Sequence, residues 1–180
     1  MANNCMVDMK ISGKTKNVKE LIKMLSWEGQ YKNDGLGRVF ECNYDEYDFE
    51  VAGDEDIIGV TVFLDVAWSI KSAMRKNASR NLETETKKLN LVVEAYSSEL
   101  GCQFQEHVLI DRGKVVIDDC VDYEEYWVQE YDTVDEFNAE YGTNFTEDMI
   151  NDNGDVCIGG FGNQYGQFEY FGKEHFEEVE

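Results

Sequence analysis

The sequence predicts an α+β domain, an antiparallel sheet with helices packed on one face. Two alternating apolar strands each lead into a helix-forming stretch, and two further strand-like runs meet at a tight turn. Proline is absent from the 180 residues, so chain reversals fall to Gly, Asn and Asp.

The first strand is marked by Cys5, Val7, Met9 and Ile11, which alternate with Met6, Asp8 and Lys10 before Ser12-Gly13. A helix should follow, with Asn17 as its cap and Val18, Leu21, Ile22 and Leu25 at helical spacing. Residues 27–56 read as an irregular or hairpin-rich insertion, with turn signals at Asn33-Asp34-Gly35 and Gly53-Asp54. From Ile57 to Trp68, Val60, Val62, Leu64 and Val66 alternate with Thr61, Phe63 and Asp65, the pattern of a central strand.

A basic linker (Lys71, Arg75, Lys76, Arg80) leads to Asn81, which opens a second helix carrying Leu82, Leu89, Val92, Val93, Tyr96 and Leu100 and stopped by Gly101. Glu83 and Glu85 ahead of Lys87 and Lys88 suit its dipole. Gln103–Asp111 and Lys114–Asp119 then form two strands around an Arg112-Gly113 hairpin. Thr133 caps a short helix containing Val134, Phe137 and Tyr141.

These segments also carry a family resemblance. Ala2-Asn3-Asn4-Cys5, running through a strand to Ile11-Ser12-Gly13, resembles the opening of the YubB-like phage and plasmid proteins, and Val66-Ala67-Trp68-Ser69 is similar to a later signature of that family. The chain departs from the pattern at Asn4, where the family has Trp, and at Ile70-Lys71, where it has paired prolines. The resemblance covers roughly residues 1–120 and implies a ferredoxin-like core, with the insertion at about 27–56, and a mobile-element origin. Residues 121–180 are then an acidic, aromatic-rich extension packed on that core.

Charge separates the halves of the chain. The formal net charge is −22, and residues 91–180 hold 23 of the 38 acidic side chains but three of the 16 basic ones. Such asymmetry points to a partner with a basic surface and away from direct DNA or RNA binding, which depends on Lys and Arg neutralising phosphates. No secretory h-region and no apolar run of membrane-spanning length is present, so a soluble protein of the bacterial cytoplasm is expected. Five widely spaced cysteines with no C-x-x-C pair read as reduced thiols, and neither a cofactor nor a metal ion is expected.

Catalytic motifs find no anchor. His107 and His175 have no partner at metal or nucleophile–base spacing, and His107 reads as a packed or surface strand residue. Asn151-Asp152-Asn153-Gly154-Asp155 reads as a turn, because a calcium loop with Gly154 at its sixth position would put Met149 at the first ligand. Gly159-Gly160-Phe161-Gly162 lacks the G-K-[ST] ending of a phosphate loop and reads as a glycine-rich hairpin among Tyr165, Phe168, Tyr170 and Phe171.

The stretch from Asp118 to Glu136 differs. As one extended strand it places Asp118, Asp122, Glu124, Tyr126, Glu130 and Asp132 on one face, and Val121, Tyr123, Glu125, Trp127 and Tyr131 on the other. Same-face side chains lie about 6–7 Å apart, close to the roughly 7 Å between successive phosphates of a nucleic-acid strand. The expected partner-binding residues are Asp118, Asp119, Asp122, Glu124, Glu125, Tyr126, Trp127, Glu130 and Asp132. Their carboxylates would engage Arg and Lys that normally grip DNA, with cation–π contacts from the aromatics. The competing reading is a solvated edge that blocks aggregation, although self-repulsion in so dense a cluster costs stability. Acids and aromatics at Glu41–Asp56 offer a second patch.

Taken with the family resemblance, the acidic face makes the chain look like an anti-CRISPR inhibitor. It would be a non-enzymatic nucleic-acid mimic that occupies the basic groove of an RNA-guided nuclease. The alternatives are a phage protein that sequesters a small ligand in its aromatic, glycine-rich C-terminal region, and a Mg²⁺-dependent nuclease using carboxylates.

Overall fold

A computed structural model describes residues 4–32, 35–76, 80–99, 101–150 and 154–161, together with Phe168 and Phe176. The fold is α+β: a six-stranded antiparallel sheet in the order β2-β3-β1-β4-β5-β6, with helices on one face and a separate two-stranded sheet beyond β6.

Strand β1 (Asn4–Lys14) lies between β3 (Ile57–Ala67) and β4 (Val92–Glu99). Cys5, Val7, Met9 and Ile11 are all at most 1% exposed, as their alternation predicts, and they meet Val60, Val62, Leu64 and Val66 of β3 in the main core. Helix α1 (Thr15–Leu25) covers this face with Val18, Leu21, Ile22 and Leu25. Asn17 does not cap it. The helix begins three residues earlier, after Lys14, and the Asn17 side chain donates to the Leu89 carbonyl at 2.7 Å, tying the two crossover segments together.

The 27–56 region supplies strand β2 (Val39–Tyr44), which pairs with β3 at the sheet edge, and the one-turn helix α2 (Tyr47–Glu50). The turn expected at Gly53-Asp54 forms, with the Asp56 amide donating to the Gly53 carbonyl at 3.1 Å. For the one expected at Asn33-Asp34-Gly35, Asn33 and Asp34 lie outside the described residues. At Val66-Ala67-Trp68-Ser69, β3 ends and Trp68 adopts φ 72°, while Ser69 Oγ accepts the Ser72 amide at 3.1 Å.

The second helix is shorter than its periodicity predicts. α3 spans Leu82–Leu89, and Asn90 in the left-handed conformation closes it. Val92–Glu99, expected to continue the helix, is instead β4, buried at every position between β1 and β5. A strand enclosed on both faces shows no alternation, and Val92, Val93 and Tyr96 happen to continue the helical spacing of Leu82 and Leu89.

Asn81 caps α3 as expected, its Oδ1 accepting the Thr84 amide at 2.9 Å. Asn81→Ala is expected to lower stability by about 1 kcal/mol, measured as a shift in the guanidinium unfolding midpoint. β5 (Phe104–Asp111) and β6 (Lys114–Asp122) form the anticipated hairpin, with Arg112 at φ 48° and Gly113 at φ 86°. A side chain at residue 113 would come within 2.7 Å of the Glu83 carbonyl, so the turn needs glycine for its approach to α3 as well as for its backbone.

Candidate functional site

β6 is the outer strand of the large sheet, and it carries the start of the acidic stretch. The register sets Asp118 opposite Val108, Asp119 opposite His107 and Asp122 opposite Phe104. Asp118 and Asp122 therefore share the helix-bearing face, where Lys71 Nζ meets Asp118 Oδ1 at 2.7 Å, while Asp119 lies on the reverse face.

The single strand expected from Asp118 to Asp132 does not form. β6 stops at Asp122. Tyr123, 4% exposed, donates its amide to the Gln103 carbonyl at 2.9 Å, and the chain passes into β7 (Glu124–Trp127), which pairs with β8 (Asp155–Ile158) in the second sheet. A turn of 3₁₀-helix follows at Val128–Glu130.

The break has a packing cause. Val128 is buried with Phe137 and Val156 in a cluster of its own, so the chain leaves the large sheet to build a second small core. Helix α4 (Val134–Tyr141) brings Phe137 to that core, and Thr133 caps it through the Glu136 amide at 3.2 Å. Tyr131 packs edge-on against Phe137 with ring centroids 5.3 Å apart.

The strand alternation therefore cannot place all the acids on one face. Asp118, Asp119, Asp122, Glu124, Glu130 and Asp132 are nevertheless all exposed, along the β6 edge and the segment after it. The backbone of Glu125, Tyr126 and Trp127 belongs to β7, and their side chains lie outside the described residues.

His107 is buried in the large sheet. Its Nε2 lies 2.8 Å from Glu94 Oε1, and its ring stacks on Tyr96 with centroids 4.1 Å apart and planes 9° from parallel. Phe161 meets both rings edge-on at 5.9 Å, and its amide donates to Gln105 Oε1 at 2.6 Å. The imidazole thus spends one nitrogen on Glu94 and its ring on aromatic packing. Sequence reading missed Glu94 and Tyr96 because both fell in the expected helix; the β-branched pair Val92-Val93 just after Asn90 was the available signal.

A second buried carboxylate, Glu106, points to the helix side, where it accepts from Ile70 N at 2.8 Å and Ser97 Oγ at 3.0 Å. Burial raises its pKa, and burial, opposed in part by a hydrogen bond with Ser97, pushes the nearby Cys5 thiol up to about 12. Cys5 is buried, whereas Cys102 and Cys120 are exposed thiols.

Among the described residues, no three His, Cys, Asp or Glu side chains are grouped to hold a metal ion, and no helix is long and apolar enough to cross a membrane. The Glu41–Asp56 patch contributes Tyr44 and Phe49, edge-on at 6.0 Å, to an open cleft of about 360 Å³ against α1. The expected turn at 151–155 and the glycine-rich hairpin fall largely outside the described residues, as do His175 and most of the C-terminal aromatic region. No family model, curated protein or solved structure matches this chain.

Proposed function

We propose that this protein is a non-enzymatic inhibitor from a phage or other mobile element, acting in the bacterial cytoplasm on a host defence nuclease. Its acidic edge mimics nucleic acid and occupies the basic groove of an RNA-guided effector, the action of an anti-CRISPR protein. The observation that carries this reading is the run of exposed carboxylates on β6 and just beyond it: Asp118, Asp119, Asp122, Glu124, Glu130 and Asp132.

The break after Asp122 changes the form of the mimicry. Regular spacing is confined to β6, and the remaining acids extend from the small second core, so the surface suits a curved groove better than a straight one. Buried Tyr123 and Val128 hold the backbone on either side of β7, which limits the ordering needed on binding. The order β2-β3-β1-β4, with α1 and α3 as crossovers, supports a ferredoxin-like core with β5 and β6 added beside it, and so the YubB-like relationship.

The test is competition with DNA for a purified RNA-guided nuclease. Wild-type protein should displace a labelled duplex, and Asp122, Glu124, Glu130 and Asp132 changed together to Lys should weaken displacement at least a hundredfold. Reversing four exposed acids elsewhere (Glu28, Glu140, Glu147 and Asp148) changes the net charge equally and should cost far less. Equal losses from both sets would reduce the effect to bulk charge, and no displacement by wild type would remove the proposed target class.

A further inference from the structure

The sheet face turned away from α1 and α3 is divided. Over β4 and β5 the chain covers it with its own aromatics: Phe161 and Phe168 lie edge-on to Tyr96, and Phe176 packs on Val92 and Leu109. Over β2, β3 and β1 the described residues leave the same face open, with Phe63 54% and Met6 48% exposed.

The register arranges this open half in rows. Glu41, Asp65 and Met6 lie side by side across β2, β3 and β1, and Asn43, Phe63 and Asp8 form the next row. Together they line an open cavity of about 210 Å³. Three of its lining side chains, Glu41, Asp8 and Asp65, are carboxylates, so the cavity is acidic.

Two features fit this cavity to a cation rather than to apolar packing alone. Glu41 and Asp65 are direct cross-strand neighbours, an arrangement of like charges that costs stability until a positive group lies between them. Asn43 Nδ2 donates to Glu41 Oε1 at 2.8 Å and fixes that carboxylate beside the ring. Burial also raises the pKa of Asp8, and a cation beside it would favour the ionised form.

We propose that this half of the sheet is a docking surface for a basic protein segment that presents arginine next to an apolar side chain. The guanidinium stacks on Phe63 and donates to Glu41 and Asp65, and the apolar neighbour packs on Met6. Arginine fits better than lysine because its planar fork can stack and bridge two carboxylates at once, whereas an ammonium is a strongly hydrated point charge. The site is separated from β6 by β4 and β5 and does not depend on the acids of the proposed mimic.

The experiment is fluorescence anisotropy of the full chain with a labelled Gly-Leu-Arg-Gly-Arg-Leu-Gly peptide and its lysine counterpart. The arginine peptide should bind at least fivefold more tightly than the lysine one. Phe63→Ala and Asp65→Asn should each weaken it at least fivefold, with circular dichroism unchanged because Phe63 is exposed and Asp65 only half-buried. The variant with Asp122, Glu124, Glu130 and Asp132 changed to Lys should bind within twofold of wild type. The proposal is overturned by absent binding, by equal affinity for the two peptides, by full affinity in Phe63→Ala, or by a matching loss in the four-lysine variant.

Discussion

His107→Ala is expected to lower the unfolding free energy by about 3 kcal/mol, a large share of the roughly 5–15 kcal/mol typical of a folded domain. The substitution removes the 2.8 Å hydrogen bond to Glu94, whose side chain is 0% exposed and cannot turn to bulk water for a replacement. It also removes the ring that stacks on Tyr96 and meets Phe161 edge-on. Replacing both members with leucine should be milder than either single loss, because neither the buried carboxylate nor the buried imidazole then remains without the other. Urea unfolding of wild type, both single leucine variants and the double variant measures the coupling, expected at about 1–3 kcal/mol. Strict additivity would show that the two side chains stabilise the sheet independently.

The other large effect belongs to the main core. Ile11→Ala is expected to cost about 4 kcal/mol: Ile11 is 0% exposed in β1 and lies directly between Val60 of β3 and Val93 of β4. The loss combines the transfer energy of the missing methyl and methylene groups with the cavity left in a rigid sheet. Met6→Ala in the same strand should change stability by no more than about 1 kcal/mol, since Met6 faces the other way and is 48% exposed. Comparable losses at the two positions, in parallel denaturant titrations, would contradict the assignment of faces in β1.

The face assignments were legible where one side of a strand is buried and the other is not. Cys5, Val7, Met9 and Ile11 were read correctly, as were Val60, Val62, Leu64 and Val66, because their neighbours are more polar or less enclosed. β4 was misread because enclosure on both sides erases the period of two. Its polar members Glu94, Ser97, Ser98 and Glu99 are buried as well, with Glu94 and Ser97 held by His107 and Glu106 of the neighbouring strand β5. β2 was passed over as irregular because it is a short edge strand with Phe40, Glu41 and Asn43 all exposed.

The candidate site was legible in composition but not in geometry. Exposure of Asp118, Asp119, Asp122, Glu124, Glu130 and Asp132 followed from their charge. The departure at Tyr123 depends on Gln103 and on the distant β8, contacts that no local pattern announces. The rows that join Glu41, Asp65 and Met6 likewise come from three separate segments and exist only through register.

The central place of β1 also bears on synthesis. The ribosome releases this strand before either neighbour, and its pairing of Met6 with Ser98 must wait until about ninety more residues have emerged. Meanwhile the nascent chain carries an apolar strand with unsatisfied edges, the kind of segment that chaperones bind and that pairs wrongly with other chains. The hairpin of β5 and β6 closes locally within moments of its release, so β1 rather than the acidic edge should set the pace at which the protein reaches its native state.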